Sequence, residues 1–189
     1  MAASRQPKQQ RISSRAGQSA AIDFVGLRAA QLEPWLPYLY GNRFARVLAL
    51  KGEPGEAEKK GQPPFFGADG EALESALAAL DWGSNNWCGV VLDLPGKDVL
   101  KAGELRLLVE TIDPVALLAL DEKALLALQD GFGRELLPRV PRPGVRIKLL
   151  GRALVFADGF EAALASETGK RRVWQELKAL RPWNSIPAG

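Results

Sequence analysis

The chain of 189 residues contains no histidine. That removes the commonest general base, the usual zinc ligand and every Ser-His or Cys-His nucleophile pair. Carboxylates and lysines remain as candidate chemistry. The expectation moves toward a protein that binds rather than catalyses. A single cysteine, Cys88, excludes an internal disulfide and points to the cytoplasm. It sits in an apolar run, the setting of a buried, inert thiol; a reactive thiol is the alternative. No apolar run approaches the ~18 residues of a membrane span, and no apolar segment marks a signal peptide, so no membrane partner is expected. There is no repeat of solenoid length. The net charge of +3 is not that of a protein that coats nucleic acid.

An apolar content of 47% is enough for a sizeable core, and the length suits one domain with an appendage. Three regions are expected. Residues 1–40 form a flexible basic tail and an apolar docking segment, 41–182 an α/β domain, and 183–189 a C-terminal tail. Between Met1 and Ala21 stand Arg5, Lys8, Arg11 and Arg15 with no acid. This reads as a solvated disordered tail, or as one that touches phosphates or an acidic partner. Ile22 to Tyr40 is apolar, and Pro34 and Pro37 stop a long helix. Either it packs on its own domain, or it orders on a partner. In the second case Phe24, Leu27, Leu32 and Trp35 are the partner-binding residues, with Trp35 as anchor.

Val47 to Leu80 organises the rest. Val47–Leu50 is a short apolar run, and a loop rich in Gly, Pro and charge follows. Leu73, Ala76, Leu77 and Leu80 then make one face of a helix. Strand, loop and helix open an α/β domain, and a loop over the carboxyl end of a strand is where such sheets bind ligands. This first strand is expected over 43–50, further strands at 87–94 and 115–120, and helices at 103–112 and 121–129, the latter capped by Asp121. A hairpin is expected over 145–157, turning at Gly151-Arg152. A final helix at 169–180 follows Thr168 and buries Val173, Trp174, Leu177 and Leu180. Its basic start, Lys170-Arg171-Arg172, is solvated surface or a contact for an acidic partner. The expected architecture is a three-layer α/β/α sandwich around a mostly parallel sheet of about four strands.

Lys51–Glu56 reads KGEPGE, Pro64–Gly70 reads PFFGADG and Pro114–Ala124 reads PVALLALDEKA. On these residues the stretch from about 45 to 180 resembles the uracil-DNA glycosylase superfamily. Members flip a base out of the stack and cleave its N-glycosidic bond. In gapless register the family's loop Glu falls on Gly52, with Glu53 one place later. The Thr-Asn that reads uracil falls on Gly89 and Val90. The His-Pro-Ser loop is represented by Ala157-Asp158-Gly159. The base-stacking aromatic persists as Phe65. The four cysteines that hold an iron–sulfur cluster in many members are reduced to one. The resemblance implies a kept frame without catalytic residues, metal or cofactor. Glu53, Pro54, Gly55 and Phe65 form a vestigial ligand loop, with Phe65 as core filler or loop anchor.

From Val155 the chain runs VFADGFEAALASETGKRRVWQEL. Here it resembles the psi subunits of the bacterial DNA polymerase III holoenzyme, which carry an inactive domain of this fold. Val155, Ala165, Thr168, Trp174 and Gln175 coincide with the psi pattern, and Lys170 stands for an arginine. The resemblance implies a non-catalytic subunit in DNA replication. Its N-terminal peptide would dock on a clamp-loader subunit. Its domain would bind chi, which contacts single-stranded-DNA-binding protein, so single-stranded DNA is reached indirectly. The alternative is a divergent uracil-DNA glycosylase or repair protein of the same superfamily, with Glu53 and Glu56 as its carboxylates.

Overall fold

The structure, a computed structural model, describes residues 24–83 and 85–182. The basic tail of residues 1–21, the C-terminal segment 183–189 and the side chain of Phe24 lie outside the described residues. Helix α1 (Phe24–Leu32) runs into a 3-10 helix over Glu33–Tyr38 and a short strand, β1 (Leu39–Gly41). Next come β2 (Val47–Lys51), α2 (Glu56–Lys59), α3 (Ala68–Ala79) and β3 (Trp87–Val91). After α4 (Ala102–Ile112), β4 (Ala116–Ala119) and α5 (Glu122–Phe132) comes a hairpin of β5 (Ile147–Leu149) and β6 (Arg152–Phe156). The described chain ends with α6 (Phe160–Ala163), α7 (Glu167–Leu177) and a 3-10 turn over Lys178–Leu180.

This is a mixed α/β fold on one six-stranded sheet, ordered β1-β3-β2-β4-β6-β5. The sheet is larger than the expected four strands. β3, β2, β4 and β6 are parallel neighbours, and the two edges, β1 and β5, are antiparallel additions. Both edge strands are three residues long; β5 lies within the hairpin expected over 145–157, whereas β1 is too short to stand out from loop sequence.

The central strands are apolar on both sides, as parallel strands buried on two faces must be. Alternation sorts them into two cores. Leu48, Leu50, Leu117, Ala119, Leu154 and Phe156 join one cluster. It also holds Leu105, Leu108 and Val109 of α4 and Leu125 and Leu128 of α5. Val47, Ala49, Ala116, Leu118 and Val155 join the other, with Leu73 and Leu77 of α3 and Val173 and Leu177 of α7.

Leu32, Trp35 and Tyr38 belong to the first cluster, so the boundary drawn at residue 40 falls inside packed structure. The Tyr38 hydroxyl donates to the Asp98 carbonyl at 2.7 Å, which ties this segment to the loop after β3. The hairpin turns at Leu150-Gly151, one residue before the expected Gly151-Arg152. Both residues have positive φ, 49° and 86°, as a two-residue primed turn requires. Helix α7 starts at Glu167, because the Ser166 hydroxyl accepts from the Gly169 amide at 3.0 Å and caps it. Asp121 caps α5 as expected, accepting from the Ala124 amide at 2.7 Å.

Candidate functional site

From β2 the chain crosses to β3 on one side, and β4 follows on β2's other side. The carboxyl ends of β2 and β4 therefore flank a point where strand order reverses, the usual ligand crevice of an open α/β sheet. A cavity of about 410 Å³ opens there. Glu53, Pro54 and Glu56 line it after β2, Leu120 and Asp121 after β4, and Gly159 to Ala162 after β6.

Lys51 ends β2 on its floor. Alternation with Val47 and Ala49 points its side chain toward Phe65 and α3, where it is only 5% exposed. A buried ammonium is stable only when paired. Its Nζ meets Glu58 at 2.9 Å, Asp69 at 2.5 Å and Glu161 at 3.2 Å. It also lies 4.9 Å from the centre of the Phe65 ring, within cation–π reach. Burial pushes the Lys51 pKa down, but hydrogen bonds to Asp69 and Glu58 outweigh it and hold the value above the usual lysine range. Burial likewise pushes Glu58 up. The Phe65 amide and the Lys51 ammonium outweigh that and hold it below the usual carboxylate range. Both groups are charged at neutral pH.

The carboxylates are committed elsewhere as well. Glu58 accepts from the amides of Gly55 at 2.9 Å and Phe65 at 2.8 Å. Glu161 accepts from the Glu56 amide at 3.0 Å. Glu58, Asp69 and Glu161 each place an oxygen within 4.8 Å of the others, a spacing that suits a cation. The Lys51 ammonium occupies that position. Asp121 staples the loop after β2 to α5, since its carboxylate accepts from Gly52 at 2.7 Å and Glu53 at 3.3 Å as well as from Ala124. Gly52 has no room for a side chain, because a Cβ there would stand 2.5 Å from the Ala124 amide nitrogen.

Phe65 is 1% exposed and cannot present its ring to the cavity. Its backbone is left-handed, with φ 55°, an uncommon conformation for an aromatic residue. The Glu58 carboxylate holds its amide, and Gly70 lets its carbonyl approach; a Cβ at Gly70 would lie 2.0 Å from that oxygen. The ring packs edge-on against Trp87, centroids 5.5 Å apart. It fills the space above Gly89, where a Cβ would stand 2.5 Å from it.

Glu53, Pro54 and Gly55 line the cavity while Phe65 is sealed beneath, so three of the four loop residues meet at one opening. Glu56 is exposed and pairs with Lys59 at 3.1 Å. Of the docking residues, Leu32 and Trp35 are buried in the domain's own core, whereas Leu27 is 57% exposed. The resemblance placed no weight on Lys51, Glu58, Asp69 or Glu161. The one signal was a lysine closing an apolar strand; its partners lie 7, 18 and 110 residues away, and no local pattern joins them. Cys88 is fully buried on β3, and burial pushes its thiol up to about 12, so it is an inert thiol. No helix among the described residues is long and apolar enough to cross a membrane.

No family model matches the chain, and no curated protein matches it.

Proposed function

We propose that the protein is a non-catalytic, psi-like accessory subunit of the replicative DNA polymerase, bridging the clamp loader and chi. The observation that carries the reading is the state of the switch-point crevice. Its buried charges satisfy one another around Lys51, and Phe65 is sealed against Gly89. A glycosylase needs a free polar group beside the sugar and a donor for charge growing on the base. In the family's register Gly89, Val90, Ala157 and Gly159 have no polar side chain, and Asp158 offers a carboxylate rather than a donor. With helices contributing to both cores, the proposal includes a three-layer α/β/α frame whose parallel part is the central four strands.

The docking surface is then narrower than residues 1–40. Leu32 and Trp35 hold the fold, so the contact falls on the chain before α1 and on Leu27 and Leu36, which are 57% and 41% exposed. Full-length protein should retain the clamp loader and chi in a pull-down. Removing residues 1–23, or introducing Leu27→Glu, should release the loader and leave the domain folded. A full-length protein that leaves both partners in the unbound fraction sinks the proposal.

One observation favours the second reading, a divergent glycosylase. The 410 Å³ cavity is open, and Glu53 and Glu56 stand at its mouth. Uracil release from single-stranded or mismatched DNA, lost in Glu53→Gln or Glu56→Gln, would establish it. No release at enzyme excess ends it.

A further inference from the structure

The modest net charge hides a strong division. Residues 24–132 hold ten basic and sixteen acidic side chains. Residues 133–152, the loop after α5 and the β5–β6 hairpin, hold Arg134, Arg139, Arg142, Arg146, Lys148 and Arg152 against one acid, Glu135. Twenty residues thus carry a formal +5 on a molecule whose total is +3.

The fold gathers this charge at one edge. β5 is the last strand of the sheet, and β6 is its one neighbour. Two of the six cations have structural duties. Arg152 pairs with Asp113 at 2.6 Å. Arg146 donates to the carbonyls of Ala179 and Arg181, which brings the 3-10 turn after α7, with Lys178 and Arg181, beside the hairpin. Arg134, Arg139, Arg142 and Lys148 are exposed, and among the described residues none of them makes an ion pair or a side-chain hydrogen bond. A single edge lysine is enough to discourage strand-to-strand aggregation. Four uncompensated cations exceed that need.

We propose that this edge binds the phosphodiester backbone of duplex nucleic acid without reading its sequence. Five of the six cations are arginines, whose planar fork fits phosphate oxygens. The segment has no aromatic residue, so it offers no platform for stacking unpaired bases. No helix forms between Phe132 and Phe160, so the amphipathic helix that lies on a membrane surface is missing here. Leu137, Pro141 and Leu149 turn inward and fix the loop, leaving the charges on the outside. The surface is independent of the clamp-loader contact, and of the crevice on the carboxyl ends of the strands.

The test is binding of a short random-sequence DNA duplex by the full chain across a salt series. A second background, with Arg5, Lys8, Arg11 and Arg15 changed to Gln, removes the charge of the N-terminal segment. In both backgrounds the logarithm of affinity should fall with the logarithm of salt, with a slope of roughly −3. Arg139→Glu with Arg142→Glu and Lys148→Glu should weaken binding by on the order of a hundredfold. If that variant fails to fold, Arg139→Gln and Arg142→Gln, both outside the strands, should each flatten the slope by about 1. Binding that ignores these substitutions, or that vanishes with the N-terminal charges alone, overturns the proposal. So does capture by polyglutamate or by phosphatidylserine vesicles at a salt where the duplex is free, which would assign the edge to an acidic protein or a membrane.

Discussion

Charge does opposite work at two places in this molecule. At the carboxyl end of β2, one ammonium faces three carboxylates at 2.5 to 3.2 Å, and all but Glu161 are buried. At the β5 edge, four cations face solvent and form no ion pair among the described residues. The first arrangement is internally closed. Each charge there is held by its neighbours, so the cluster fixes the loop geometry and has little left for a ligand. The second is internally repulsive, and its charges have no partner among the described residues. A crevice that looks like a binding site by topology can therefore be structural, while a loop that looks like a connection carries the free charge.

The largest expected effect breaks the closed cluster. Lys51→Met leaves three carboxylates packed together without their cation. Removing one partner of a buried ion pair destabilises by about 3–5 kcal/mol, so urea unfolding should show a loss of that size. The matching change at the other region, Arg139→Ala, should stay within about 0.5 kcal/mol. Equal losses at both sites would erase the contrast.

Acid and base titrate the same difference. Glu58 is held below its usual value, so its contribution is complete above an unfolded-state pKa of about 4.3 and is lost as pH falls through the lower folded value. Lys51 is held above its usual value, so its contribution is complete below about 10.4 and fades as pH rises through the higher folded value. Stability should be level between these limits and fall on both sides. In Lys51→Met the alkaline fall should disappear. The acid limb should invert, because protonation then relieves the unpaired carboxylates. Thermal unfolding across the pH range checks both limbs; an unchanged alkaline limb in the variant would remove Lys51 from the account.

A smaller effect tests whether the Phe65 seal is tight. Gly89→Ala places a methyl against the ring, and overpacking of this kind costs about 1–3 kcal/mol. A neutral Gly89→Ala would mean that Phe65 moves aside, and the crevice would then have room for a ligand beneath its present floor.

The parts of the fold legible in the sequence were those with local cause. β2, β3 and β4 are continuous apolar runs. Asp121 caps α5 through a neighbouring amide. The edge strand β1 was not legible, since three residues carry no periodicity, whereas β5 falls within the expected hairpin. Pro34 and Pro37 announced the end of a helix, but whether the segment met a partner or its own core depended on α4, more than sixty residues away. The Lys51 cluster was hidden for the same reason. Its four members come from β2, α2, α3 and α6, and only the folded chain brings them together. The loop residues Glu53, Pro54 and Gly55 were legible because turn chemistry is written locally.

The smallest expected effect acts on the β5 edge without touching its charge. Leu150 holds φ 49° at the first position of the hairpin turn, and its side chain is 49% exposed. Left-handed backbone costs an ordinary residue about 1–2 kcal/mol, and asparagine bears it more easily. Leu150→Asn turns Leu-Gly into Asn-Gly, the pair that primed two-residue turns favour. The gain should be about 0.5–1 kcal/mol, or about 1–4 °C in Tm for a chain of this length. A fall in Tm would mean that the Leu150 side chain packs rather than strains. The apolar residues of the edge would then be part of its surface chemistry, and a purely electrostatic contact with phosphate would no longer describe it.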